Sequence, residues 1–139
     1  YACRAGTETP YFFAGDPKGF TKKGLFKSRP DTAVINSYVI YSENSPSRTQ
    51  EPSAVRPNPW GLRNMSGNVA EFTADIYEGT EEHVIRGGSY RDDAAGVRSA
   101  SRDRTRTDEW LKTDPQMPKS LWWYSDCFYV GFRVVMEIN

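Results

Sequence analysis

Apolar residues in this chain come in short bursts separated by polar, Gly- and Pro-bearing stretches, and no burst keeps a 3.6-residue period for long. Residues 1–6 read as the last turn of a helix, with Gly6 as its C-cap residue and the polar Thr7-Glu8-Thr9-Pro10 behind it. Tyr11-Phe12-Phe13 then reads as a short strand. Residues 16–31, rich in Gly, Lys and Pro, read as a loop. Residues 33–41 form a short apolar element stopped by Ser42-Glu43-Asn44-Ser45-Pro46, and a long polar connection runs on to Pro59.

Further along, Gly61 and Gly67 argue against a long helix in the dense stretch 60–77. A strand at 83–86 runs into Gly87-Gly88, a pair that suggests a bulge or a close backbone approach. Residues 97–107 alternate, so in extended form Arg98, Arg102, Arg104 and Arg106 would share one face. Residues 108–120 read as a polar, Pro-containing loop. In 121–138, three consecutive aromatics precede Phe128-Tyr129-Val130-Gly131-Phe132-Arg133-Val134-Val135, the best strand pattern of the chain. No repeat or heptad is present. Long loops joining short strands count against a compact domain unless something besides regular ladders fixes them, and a bound cation is the usual device.

A length of 139 residues suits one domain or a large piece of one. The start at Tyr1 instead of Met suggests a cut point, with more of the protein upstream. Lys plus Arg and Asp plus Glu both total 18, so no overall field would recruit nucleic acid or an anionic membrane. No apolar run approaches the roughly 20 residues that cross a bilayer, so no membrane insertion is expected from this segment. Aromatics reach 14%, which predicts a core of large rings held by loops and short strands.

With Cys3 and Cys127 far apart and His83 the single histidine, a thiolate or imidazole zinc site of standard spacing is excluded by count. A bridge between the two cysteines is possible, and so is a pair of buried thiols. Cys127, between Asp126 and Phe128, reads as a packing residue, since reactivity would need a cationic neighbour to lower its pKa.

Four segments, in order, carry a resemblance: Tyr1-Ala2-Cys3-Arg4-Ala5-Gly6-Thr7; Asn58-Pro59-Trp60-Gly61-Leu62-Arg63-Asn64-Met65-Ser66-Gly67-Asn68-Val69-Ala70-Glu71-Phe72; Arg86-Gly87-Gly88-Ser89-Tyr90; and Val130-Gly131-Phe132-Arg133-Val134-Val135. Together they resemble the formylglycine-generating enzyme (sulfatase-modifying factor) family. The resemblance implies an α+β, C-type-lectin-like fold of short strands, long loops and little regular secondary structure, with residues 1–139 as the C-terminal part of one domain. The segment Asp114-Pro115-Gln116-Met117-Pro118-Lys119-Ser120 resembles a loop of bacterial members. A bacterial source and a periplasmic or cell-surface location follow as expectations.

The same resemblance sets the chemical expectations. Family oxidases hold copper on two cysteines shortly after the Gly-Gly-Ser segment, as suits soft thiolates and monovalent copper. Here Ser89 is followed by Tyr90-Arg91-Asp92-Asp93-Ala94-Ala95-Gly96-Val97, and no cysteine lies between Cys3 and Cys127, so no copper and no formylglycine-generating activity are expected. The 60–71 segment looks like the family's calcium site. Carried over by position, its ligands are the side chains of Asn64 and Glu71 and the carbonyls of Gly67 and Val69, with Met65 as a further candidate. The alternative is a plain turn in which Asn68 and Glu71 cap neighbouring amides.

Ser89, Asp92 and Arg102 match or adjoin positions lining the family's peptide-binding cleft, with Trp123 nearby. The arginines suit an anionic ligand, or else pair with Asp92, Asp93, Asp103, Asp108 and Glu109 on a solvated face. Trp122-Trp123-Tyr124 reads as core, or as a sugar or peptide platform if exposed. The expected function is a non-catalytic binding or scaffold module for a peptide, glycan or protein partner, completed by the rest of its own domain upstream. The alternatives are an accessory domain of an oxidoreductase whose metal centre lies elsewhere, as in ergothioneine-synthase relatives, or a formylglycine-generating oxidase.

Overall fold

A computed structural model describes residues 1–21, 31–120 and 122–136. The middle of the loop expected at 16–31 and both ends of the stretch 121–138 therefore lie outside the described residues. Three short helices and four short strands are seen: α1 (Pro17–Phe20), α2 (Ala33–Tyr38), β1 (Ala70–Ile76), β2 (His83–Arg86), β3 (Arg102–Arg104), α3 (Thr107–Trp110) and β4 (Val130–Gly131). The strands form one mixed sheet in the order β3-β2-β1-β4. β2 is antiparallel to both neighbours, and β4 lies parallel to β1 with Ala70 opposite Val130 and Glu71 opposite Gly131.

The core is built from rings, as the aromatic content requires. Ile35, Val39 and Tyr41, from α2 and the stretch after it, pack with Tyr11, Phe20, Ala94 and Val97. Phe13 stacks between Tyr11 and Tyr38 at centroid distances of 4.9 and 5.2 Å. A second cluster beneath the sheet holds Ala70, Ile85 and Trp110, with Phe72, Cys127, Tyr129 and Val130 packed against it. Each wholly buried aliphatic side chain contributes about 1.5–3 kcal/mol by leaving water.

β2 falls where the pattern placed it, and β1 is a strand as the glycines before it allowed. Several elements differ from expectation, the strand-like ones because a strand needs a neighbour. Residues 1–6 form consecutive turns instead of a helix end, closed by Arg4 N to Tyr1 O and Thr7 N to Arg4 O. Tyr11-Phe12-Phe13 is a series of bends fixed by ring stacking, with no strand alongside among the described residues. The alternation at 97–107 yields only the three residues of β3, so Arg98 sits in a turn and the four arginines do not share a face. The loop expected at 108–120 contains the end of α3, whose Trp110 is 2% exposed.

The best strand pattern forms a ladder over just Val130 and Gly131. Beyond them Phe132, Val134, Val135 and Met136 are 78–82% exposed, with no strand among the described residues to pair with.

The loops are fixed by side chains that clasp backbone. Asn44 accepts from Tyr41 N and donates to Val39 O. Asn58 accepts from Trp60 N and Leu62 N and donates to Ala2 O. Asp114 accepts from Gln116 N and Ser120 N. Short polar side chains offer backbone groups a partner outside regular ladders, which is how a chain with so little sheet keeps its loops in place.

Candidate binding cavity and metal turn

Gly88 begins the cavity. Its φ is +67°, and a Cβ there would come within 2.8 Å of Gly96 O, so only glycine lets the chain run this close to residues 96–97. The close approach expected of Gly87-Gly88 is thus made to Met65 and Gly96. Immediately after it, Ser89 is wholly buried, and its amide and hydroxyl both donate to one oxygen of Asp92, at 2.7 and 2.8 Å.

The fold brings Asp92 and Arg102 to one cavity of ≈190 Å3, lined also by Gly88, Gly96, Ser101 and Asp103. Ser89 does not line it. It sits behind and holds the Asp92 carboxylate. Trp123 is not at this cavity either.

The two carboxylates at the cavity have internal partners: Asp92 accepts from Ser89, and Asp103 accepts from Arg104 N and pairs with Arg106 at 3.0 Å. Arg102 is exposed and its guanidinium makes no hydrogen bond or ion pair with another described residue, while lining a second cavity of ≈200 Å3 with Ile76, Tyr77 and Glu78. Of the ion pairs expected of the arginine ladder, the described residues form the one between Arg106 and Asp103. Arg98 instead donates to Ala95 O at 2.8 Å.

The candidate metal turn runs into the start of β1. Asn64 and Asn68 take left-handed φ values of 53° and 66°. Gly67 must be glycine, since a Cβ there would lie 2.1 Å from Ile40 O. Asn68 does not cap a neighbouring amide as the plain-turn alternative had it. Its side chain exchanges two hydrogen bonds with the Gln50 backbone, at 2.9 and 3.0 Å. Nor does Glu71, whose carboxylate takes Nε and Nη2 of Arg133, the shortest contact being 2.6 Å. Met65 O, the further candidate ligand, accepts from the Cys3 thiol at 3.2 Å.

The Oδ1 atom of Asn64 is buried with no hydrogen-bond partner. A buried acceptor left in this state calls for an explanation, and a water or ion site is one. Glu71 Oε1 accepts twice from Arg133 and Oε2 once, and a carboxylate has about four acceptor sites, so the Glu71 carboxylate retains capacity. The donor set fits a hard cation served by neutral oxygens and one carboxylate. No group of three or more His, Cys, Asp or Glu that could hold a metal occurs among the described residues.

Cys3 and Cys127 are both free thiols. Cys3 lies against Met65 O, Ser66 and Ser99, whereas Cys127 packs near Trp110 and Tyr129. Burial pushes the Cys127 thiol up, and the opposing pull of the Val130 and Tyr129 amides and the Arg91 charge does not offset it. Trp122 and Trp123 are 92% and 52% exposed, against the core reading, while Tyr124 meets Trp110 edge-on at 5.4 Å. Two partners escaped the sequence reading: Arg133, whose grip on Glu71 no local pattern announces, and Arg91, outside the even-numbered series.

A small mixed sheet with a few short helices and long clasped loops defines an α+β domain with little regular secondary structure. The chain belongs to the sulfatase-modifying factor enzyme 1-like domain family, whose model matches residues 1–113. Among solved structures it is similar to PvdO from Pseudomonas aeruginosa, with a TM-score of 0.61 and 22% identity over 95% of this chain and 47% of that one. Treponema denticola variable protein 1 gives a TM-score of 0.56 and 24% identity over 94% and 42%. CarF gives 0.50 and 24% over 74% and 34%. At these identities the likeness is one of fold, and the chain spans less than half the length of each. No curated protein matches.

Proposed function

We propose that this chain serves as a non-catalytic binding module of its family, taking an anionic group of a peptide, glycan or protein partner at Arg102. The observation that carries this reading is the pairing of charges at the cavity: both carboxylates there are engaged internally, while the Arg102 guanidinium is exposed without a partner among the described residues. A fork of permanent positive charge at a cavity mouth is suited to carboxylate, sulfate or phosphate. The absence of any cysteine between Cys3 and Cys127 supports the non-catalytic part.

Calcium at Asn64, Glu71, Gly67 and Val69 would serve this module by holding the turn beside β1, supplying charge to the orphaned Asn64 oxygen. The exposed apolar stretch from Phe132 to Met136 is, in the same reading, the surface that the rest of the domain covers.

Fluorescence polarisation with a labelled Asp/Glu-rich peptide tests the cavity. Arg102→Ala is expected to weaken binding about tenfold or more, the scale of a hydrogen bond to a charged group. Stability should change by no more than about 1 kcal/mol, as for an exposed charge. Unchanged affinity, or unfolding of the variant, refutes the reading, and so does copper-dependent conversion of a Cys-x-Pro-x-Arg peptide to its aldehyde, seen by mass spectrometry.

A further inference from the structure

A different cavity, of ≈360 Å3, is larger than the one at Asp92 and Arg102, and Ser42, Ser45, Ser47, Tyr90 and Arg91 line it. One wall is the turn after α2, the other the segment following Ser89. Ser42 N donates to Asp92 O at 3.0 Å and ties the walls together. The turn is itself fastened, because Tyr41 O accepts from both Asn44 N and Ser45 N and the Asn44 side chain accepts from Tyr41 N.

Arg91 is held in place before any ligand arrives. Its guanidinium carbon lies 4.5 Å from the Tyr129 ring centroid, and its Nε donates to Tyr90 Oη at 3.2 Å. Tyr129 is in turn fixed by the Trp110 indole, which donates to Tyr129 Oη at 2.9 Å. These contacts use the face and the Nε of the guanidinium, leaving its two terminal nitrogens without a partner among the described residues. An arginine locked by stacking loses little further freedom when its fork takes up an anion.

The lining itself suits negative charge. None of the residues lining the cavity is acidic. Two acids adjoin the lining residues along the chain: Glu43, which follows Ser42, and Asp92, whose carboxylate is turned to Ser89. Ser45 spends its hydroxyl proton on Arg48 O and accepts from Arg48 N, whereas the hydroxyls of Ser42 and Ser47 form no hydrogen bond within the described residues. Two hydroxyl donors on one wall and a charged fork on the other thus line the same cavity. Donors on opposite sides suit an anion with oxygens in several directions, and the volume exceeds that of a bare ion, leaving room for what the ion is attached to.

We propose that this cavity binds the tetrahedral oxyanion of a sulfate or phosphate monoester, gripped by Arg91 from one wall and by Ser42 and Ser47 from the other.

Calorimetric titration of the chain with glucose 6-sulfate, glucose 6-phosphate, inorganic sulfate, inorganic phosphate and acetate tests it, with ionic strength held constant by chloride. At least one of the two esters is expected to bind, each more tightly than its inorganic ion, and acetate more weakly than either; the stronger ester tells sulfate from phosphate. Arg91→Ala should weaken ester binding about tenfold or more, and the paired Ser42→Ala, Ser47→Ala substitution several-fold. Because Arg91→Ala also removes a stacking contact, the serine pair, at exposed positions, gives the reading that does not depend on packing. No binding by either ester, affinity indifferent to the serine pair, or acetate binding as well as the esters would overturn the proposal.

Discussion

Among the described residues, two buried side-chain oxygens have no hydrogen-bond partner, the Tyr41 hydroxyl and the Asn64 amide oxygen. Leaving such a group unpaired costs about 1–3 kcal/mol, and the two differ in what they could accept. Burial, reinforced by the charge of Glu43, pushes the Tyr41 phenol up to about 12, so it stays neutral at physiological pH within a cluster of aliphatic and aromatic side chains. Asn64 instead sits at a left-handed turn one residue from Arg63, whose carbonyl accepts from Arg133. A cation that binds only the folded chain adds about 2.7 kcal/mol at a hundredfold excess over its dissociation constant. Excess chelator is therefore expected to lower the Tm, and calcium to restore it. Glu71→Gln should remove most of that difference, and an identical melt with and without chelator counts against the calcium turn.

Among the elements, α3 shows how distant residues complete a short helix. Its N-cap residue, Arg106, makes no side-chain cap bond. The missing acceptor comes from Glu82, before β2, which takes Thr107 N at 3.3 Å and the hydroxyls of Thr105 and Thr107. Burial disfavours the charged form of Glu82, yet the bonds from Thr105 and Thr107 and the Arg104 charge outweigh it and hold the carboxyl below its ordinary range. A carboxyl lowered in this way stabilises the fold fully above its unfolded pKa, and that stabilisation is lost as pH falls through the lower, folded value. Urea melts should show a contribution present at neutral pH that fades below about pH 4. Glu82→Gln should make stability less dependent on pH in that window, and equal acid sensitivity in the variant would exclude the helix-capping role. Sequence periodicity could not show this cap, because donor and acceptor lie 25 residues apart.

The whole molecule presents an apolar surface unusual for a lone domain. Phe132, Val134, Val135 and Met136 are exposed in succession after β4, and Phe128 is 68% exposed before it. Soluble monomers rarely expose contiguous apolar patches beyond a few hundred Å2. The 139-residue chain by itself is therefore expected to bind a hydrophobic dye and to sediment with concentration-dependent mass. Val134→Lys with Phe132→Lys should diminish both without lowering the Tm, since these side chains bury little within the chain. A dye-silent, monomeric parent would show the surface to be satisfied as it stands.

The sequence alone determined the family, through motifs whose order survives without any knowledge of contacts, and with it the α+β class and the ring-built core. It also placed β2 and ruled out a long helix before β1, because glycine positions and apolar bursts report local backbone preference directly. Only the tertiary structure decided which strand-like segments became strands: Tyr11-Phe12-Phe13 and most of 128–135 have the composition but lack a neighbour, and a ladder is a property of two segments. The partners of charged groups were settled in the same way. Arg133 grips Glu71 across 62 positions, Ser89 folds back on Asp92, and Arg91 lies over Tyr129, so that among the described residues the Arg102 guanidinium and the terminal nitrogens of Arg91 are left without a partner. Composition counts charges, and only the folded chain determines which of them remain unpaired.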